Sequence, residues 1–68
     1  MELKINNQFK TFDCKSLTIQ ELLNFELPKK QNGIAVAVNE TVVSKPQWTT
    51  FFLSSSDTIL IITATQGG

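Results

Sequence analysis

The fold of this chain is decided by residues 18–26, which read TIQELLNFE. Thr18 and Glu21 have the spacing of a capping box, in which the threonine hydroxyl binds a free N–H of the first helical turn and the glutamate binds the Thr18 N–H. Three apolar residues then recur at the i, i+3 and i+4 spacing of one helix face: Ile19, Leu22 and Leu23. Pro28 prevents the helix from continuing much further. The sequence therefore predicts one short amphipathic helix over about residues 18–26.

The segment before this helix has the pattern of a β-hairpin. Residues 2–5 alternate between polar and apolar side chains, which is typical of a strand with one buried face. Asn6 and Asn7 follow, and asparagine tolerates the left-handed backbone that tight hairpin turns require. We therefore expect residues 9–12 to pair with the first strand.

The segment after the helix contains three further strands by the same criteria. Residues 34–38 place β-branched side chains on one side and alanines on the other, which predicts a strand covered or closely approached on both faces. Residues 41–43 follow a turn and are expected to pair with that strand. Residues 58–65 form a β-branched run that is apolar enough to be central in a sheet. The order predicts an α+β fold of the β-grasp type, with a mixed sheet of about five strands packed on one helix.

An aromatic group lies between these strands. Trp48, Phe51 and Phe52 stand at i, i+3 and i+4 after Pro46, which predicts one helical turn. A chain of 68 residues needs large side chains in its core, so we interpret this group as core and not as a binding cluster.

The composition excludes several classes of function. The chain has 68 residues, a net charge of zero, one cysteine and no histidine. Ser–His–Asp and Cys–His catalytic sets are therefore impossible, no Cys/His zinc site can form, and we expect no catalytic residue and no metal. Zero net charge argues against nucleic-acid binding, and no apolar run is long enough for a signal peptide or a membrane span. We expect a cytoplasmic protein, monomeric on its own, in which Cys14 is an incidental residue and not a persulfide acceptor.

Two glycines end the sequence, and their chemistry is informative. Gly68 has an unhindered α-carboxylate, and residues without Cβ, such as Gly67, can thread a channel that a side chain would block. We predict a single domain over residues 1–65 and a flexible tail over 66–68, in which Gln66 and Gly67 thread into a partner and Gly68 reacts. The alternative is that the two glycines are a frayed end without function.

The whole chain resembles the ThiS family of sulfur carriers, within the ubiquitin-like β-grasp superfamily. Three segments carry the resemblance: TIQELL at 18–23, AVNETVV at 37–43 running on to Gln47-Trp48, and TATQGG at 63–68. The chain departs from the family in having Ser44-Lys45 in place of Pro-Arg. It also has Ser55-Ser56-Asp57 where the family has Asp-Gly-Asp, and a serine does not adopt positive φ as readily as a glycine.

The resemblance implies a mechanism and partners. A ThiF-type, E1-like enzyme adenylates the Gly68 carboxylate with ATP, sulfur from a donor such as a cysteine desulfurase replaces AMP, and a ThiG-type thiazole synthase receives the sulfur from the thiocarboxylate. The chain itself binds no cofactor. Three alternatives stay open from the sequence: a MoaD-like small subunit of molybdopterin synthase, a ubiquitin-like modifier of lysines, and a β-grasp interaction module.

The resemblance also implies a docking surface on the last strand. In this superfamily the positions of Ile59 and Ile61 face the core, which leaves Leu60, Ile62 and Ala64 pointing outward. Apolar residues exposed beside a reactive tail are a natural contact surface for a partner. The alternative is that both faces of the strand are buried inside a small domain.

Overall fold

The computed structural model describes residues 1–28 and 33–63. The elements of the described residues are, in chain order, β1 (Glu2–Ile5), β2 (Gln8–Thr11), β3 (Leu17–Thr18), α1 (Ile19–Glu26), β4 (Ile34–Val38), β5 (Thr41–Val43), a 3₁₀ turn (Lys45–Gln47), β6 (Phe52–Leu53) and β7 (Thr58–Thr63). Five strands form a mixed sheet in the order β2-β1-β7-β4-β5. The last strand is central, parallel to β1 and antiparallel to β4. The predicted fold class is confirmed; the predicted domain boundary at 65/66 lies outside the described residues.

The helix begins as its sequence predicts. Thr18 has extended backbone angles, φ −86° and ψ 164°, and its Oγ1 accepts a hydrogen bond from the Glu21 N–H at 3.2 Å. The Thr18 N–H in turn donates to Glu21 Oε1 at 2.9 Å, which completes the capping box. Both bonds satisfy N–H groups that lack a partner within the helix.

Both predicted hairpins are present, and both use left-handed turns. Asn6 and Asn7 have φ values of 49° and 68°, and they connect β1 to β2. Asn39 and Glu40, with φ values of 50° and 70°, connect β4 to β5. Two consecutive residues at positive φ give the turn whose twist matches that of the paired strands.

One face of the five-stranded sheet contributes half of the buried apolar residues of the core. Its buried side chains are Leu3, Ile5, Val36, Val38, Val43 and Ile59. They form one cluster with the three apolar residues of α1 that the sequence singled out. The other face of β4 differs from our expectation, because Ala35 is exposed and Ala37 is only partly buried. The alanines therefore lie on an open face of the sheet and not beneath a second layer.

The prediction that three aromatic residues share the core is wrong for two of them. Trp48 is buried and donates from Nε1 to the Val43 carbonyl at 2.9 Å, but Phe51 and Phe52 are exposed. The helical turn ends at Gln47, so the i, i+3, i+4 spacing does not place the three rings on one face. Instead the chain extends into β6, which pairs with β3 in a small second sheet. In β6 the alternation of a strand turns Leu53 inward and Phe52 outward.

The turn before β7 has a serine where the family has a glycine, and that serine adopts the left-handed backbone. Ser56 has φ 76°, the left-handed region in which a glycine would be unstrained. The Asp57 N–H donates to the Ser54 carbonyl at 3.0 Å, and the Ser54 N–H donates to Asp57 Oδ2 at 2.8 Å. The Ser56 N–H also donates to the Glu2 carbonyl at 2.7 Å. These bonds hold the serine in a conformation that it does not prefer.

Candidate functional site

The predicted site residues divide between described and undescribed parts of the chain. The predicted tail residues Gln66, Gly67 and Gly68, together with the predicted docking residue Ala64, lie outside the described residues. Leu60 and Ile62 lie on β7, the strand that leads toward them. The described part of the candidate site is therefore the docking face on β7, the strand that precedes the terminal residues in the chain.

The outward residues of β7 form the centre of an apolar surface. Leu60 and Ile62 are 47% and 51% exposed, whereas Ile59 is fully buried and Ile61 packs partly against the core. The side assignment made from the sequence is therefore correct for these four residues. Whether the surface binds a partner stays a prediction.

Neighbouring strands extend this surface across the sheet. Leu60 is paired with Ala37, which is paired with Val42 on β5, and Ile62 is paired with Ala35. Val42 is 73% exposed, so its side chain adds to the surface at the sheet edge. We call these five residues, Ala35, Ala37, Val42, Leu60 and Ile62, the outer patch. Sequence reasoning found the β7 residues of the outer patch but not Val42, whose polar neighbour Thr41 gives no simple alternation.

A shallow hollow of about 200 Å³ lies beside Leu60 on the same face. Ala37 forms part of its lining because a methyl side chain leaves space between the larger neighbours. Asn6, Asn7 and Glu40 contribute its polar rim. The hollow lies next to the outer patch, and the five residues of the outer patch remain the candidate docking surface.

Two asparagine side chains hold β7 in place, and sequence reasoning interpreted both residues only as turn formers. Asn39 Oδ1 accepts from the Thr58 N–H at 3.0 Å, and Asn39 Nδ2 donates to Asp57 Oδ1 at 3.0 Å. At the opposite edge of β7, Asn6 Oδ1 accepts from the Ile61 N–H at 2.8 Å, and Asn6 Nδ2 donates to the Ile61 carbonyl at 3.3 Å. Each side-chain amide forms hydrogen bonds with residues that are distant from it in the sequence. No local sequence pattern therefore predicts these contacts.

The remaining candidates do not assemble into a site. Cys14 is partly buried and packs against the core, beside a hollow on the opposite side of the domain from the outer patch that includes Phe12 and Phe25. Among residues 1–28 and 33–63, no group of three metal-ligating side chains comes together. Within the same residues, no helix has the length and apolar character needed to cross a membrane.

Comparisons with known proteins agree with one another. The model of the ThiS family matches residues 3–68. The sulfur carrier protein ThiS of Escherichia coli (strain K12) is 32% identical over 69 residues, covering 100% of both chains. A crystal structure of a thiamine biosynthesis protein (ThiS) from Geobacter metallireducens superposes with a TM-score of 0.88 at 23% identity, covering 100% of both chains. A solution structure of a thiamine biosynthesis protein from the same organism gives a TM-score of 0.81 at 23% identity, over 100% of this chain and 88% of that one.

These findings have different weight. At 23% identity the two solved structures support the β-grasp fold alone. The family model reaches from the first strand to the last residue, and the Escherichia coli relative is similar over its whole length. The resemblance seen in the sequence is thereby confirmed, and the chain belongs to the ThiS family.

Proposed function

We propose that this protein is a sulfur carrier of thiamine biosynthesis whose Gly68 carboxylate is the group that carries sulfur. The observation that carries the proposal is the full-length similarity to a sulfur carrier protein, which includes the terminal residues. The family match likewise extends to residue 68. A terminal glycine suits the role because nothing on its Cα hinders attack at the carboxyl carbon.

The chemistry begins with activation of a poor electrophile. A Gly68 carboxylate oxygen attacks the α-phosphorus of ATP, forming a mixed anhydride with AMP and releasing pyrophosphate. Sulfide then attacks the carbonyl carbon and AMP leaves, which gives the thiocarboxylate. If the donor is a protein persulfide, its terminal sulfur displaces AMP to give an acyl disulfide, and a second thiol opens that disulfide to release the thiocarboxylate.

This chain supplies the carboxylate, and its partners supply the catalysis. A ThiF-type adenylating enzyme binds ATP and the carrier, a cysteine desulfurase provides sulfur, and a ThiG-type thiazole synthase consumes the thiocarboxylate, all in the cytoplasm. The sequence has no histidine and one cysteine, which supports the role of a co-substrate and not of an enzyme.

The outer patch is where we place the docking of the adenylating enzyme. Leu60 and Ile62 lie on the strand that continues toward the reactive end, so a partner that covers them also receives the terminal residues. Burial of about half of each side chain on binding makes them suitable anchors, because buried apolar area is the main favourable term in association.

The experiment is an intact-mass measurement. The protein is incubated with a ThiF-type enzyme, ATP and sulfide, and we expect the mass gain of one oxygen replaced by sulfur. A variant that lacks Gly68 is the control and should gain nothing. Absence of any adduct on the full-length chain would contradict the proposal, and adducts on lysines of other proteins would identify a modifier instead.

A further inference from the structure

The contact that the proposed function leaves unexplained is the bridge between Asn6 and Ile61. Strand β1 ends at Ile5, and Asn6 begins the left-handed turn into β2 with φ 49°. Although its backbone has left the strand direction, its side chain reaches β7 and binds both the N–H and the carbonyl of Ile61, at 2.8 Å and 3.3 Å. We call these two hydrogen bonds the Asn6–Ile61 bridge.

The bridge takes the place of one step of the parallel ladder. Along that ladder the Lys4 N–H donates to the Asp57 carbonyl and the Asn6 N–H donates to the Ile59 carbonyl, both at 3.0 Å. The next residue of β7 that faces β1 is Ile61, because strand residues alternate in direction. The chain has turned away by then, and the Asn6 amide supplies the acceptor and the donor that a longer β1 would have supplied.

The bridge therefore marks the end of two-sided support for β7. Up to Ile61 the strand is bonded on one side by β4 and on the other by β1 or Asn6. Residues 62–63 pair with residues 34–35 of β4, and within the described residues nothing bonds their other side. The last residue held from both sides is thus seven positions before Gly68, where the proposed chemistry takes place.

We propose that Asn6 is a positioning residue, whose bridge to Ile61 holds the end of β7 in place when the adenylating enzyme is bound and so raises the rate at which the Gly68 carboxylate is adenylated. This inference rests on the proposed function. Without the bridge the carrier still presents Leu60 and Ile62 for docking, but the end of β7 is held by one neighbour only. Docking then places the carboxylate correctly in a smaller fraction of complexes, which lowers the rate of adenylation more than the affinity.

The test uses Asn6→Gly, with Asn7→Gly as the matched control. Both residues have positive φ, at which glycine is unstrained, and both line the hollow beside Leu60, but the structure gives Asn7 no side-chain hydrogen bond. Asn6→Asp keeps an acceptor for the Ile61 N–H and loses the donor, so it should lie between wild type and glycine. A net hydrogen bond changes an equilibrium by a factor of roughly 2 to 10, so we expect kcat to fall by about 5-fold in Asn6→Gly, with KM within about twofold.

Two readouts make the outcomes distinct. Amide hydrogen exchange at Ile61 should accelerate by about tenfold in Asn6→Gly and stay unchanged in Asn7→Gly, which shows that the bridge is lost. The inference is overturned if Ile61 exchange accelerates while kcat for adenylation equals that of wild type, or if Asn7→Gly lowers kcat equally. Absence of adenylation of the wild-type chain would instead refute the proposed function, and this inference with it.

Discussion

The sharpest perturbation of the outer patch is Leu60→Asp. Full burial of a leucine side chain contributes about 1.5–3 kcal/mol, and 47% of Leu60 is still exposed, so docking gains about 1 kcal/mol from it. Leu60→Ala should therefore raise the KM for the carrier about fivefold. An aspartate adds the cost of burying an unpaired carboxylate, at least about 2 kcal/mol, so Leu60→Asp should raise KM at least about 100-fold.

Stability should change much less than activation. Leu60 already faces solvent, so its replacement should cost about 1 kcal/mol of unfolding free energy, mainly through the low strand propensity of aspartate. In a domain of this size that lowers Tm by about 4–8 °C. The measurements are initial rates of pyrophosphate release against carrier concentration, and thermal unfolding by circular dichroism.

A control on the opposite layer separates docking from surface charge. Phe25 lies on α1 and is 67% exposed, so Phe25→Asp introduces the same charge on a more exposed apolar residue away from the outer patch. We expect its KM to equal that of wild type. The reasoning is refuted if folded Leu60→Asp is adenylated with wild-type KM, or if Phe25→Asp raises KM by the same factor.

Three further predictions concern the framework that holds the site. Trp48→Phe removes the indole hydrogen bond to the Val43 carbonyl and part of a buried ring, and it should lower the unfolding free energy by about 1–3 kcal/mol, measured by urea unfolding with circular dichroism. Ser56→Gly relieves a φ of 76° and should raise Tm. The strain that is removed, about 1–2 kcal/mol, exceeds the backbone entropy cost of glycine, about 0.5–1 kcal/mol. A lower Tm would contradict this prediction. Thr18→Ala removes the helix cap and should cost about 1 kcal/mol in urea unfolding, whereas the exposed control Thr49→Ala should cost almost nothing.

The parts of the fold that sequence predicts are those with a local cause. The capping box needs only Thr18 and Glu21, three residues apart, and the structure contains both of its hydrogen bonds. The hairpin turns need only residues that accept positive φ, and Asn6, Asn7 and Asn39 have it. Alternation in β7 divides its side chains into two sets because the period of a strand is two, and the family resemblance implied which set faces the core.

The parts that sequence did not predict depend on distant partners. Two-residue strands have no periodicity, and β3 and β6 exist because Leu17 and Leu53, far apart in the chain, pair with each other. Phe52 lies in β6 and points outward. The interpretation of its spacing as helical could not predict this strand. The same limit applied to Asn6, whose turn conformation is a local property, whereas its bridge joins residues 55 positions apart.

The central position of β7 explains how one strand can serve both stability and function. Ile59 is buried in the core and pairs with Ile5 on one side and Val38 on the other. The inward-facing side chains of β7 are therefore fixed by packing. The outward-facing side chains of β7 are free of that constraint, because they lie on the open face of the sheet. Any side chain at position 60 is therefore partly exposed. A change at an inward position should therefore unfold the domain, and a change at an outward position should alter docking in a folded protein. Since the same strand leads toward the reactive end, a partner bound to Leu60 contacts a part of β7 that is bonded on both sides, and the Asn6–Ile61 bridge extends that support two residues beyond Ile59.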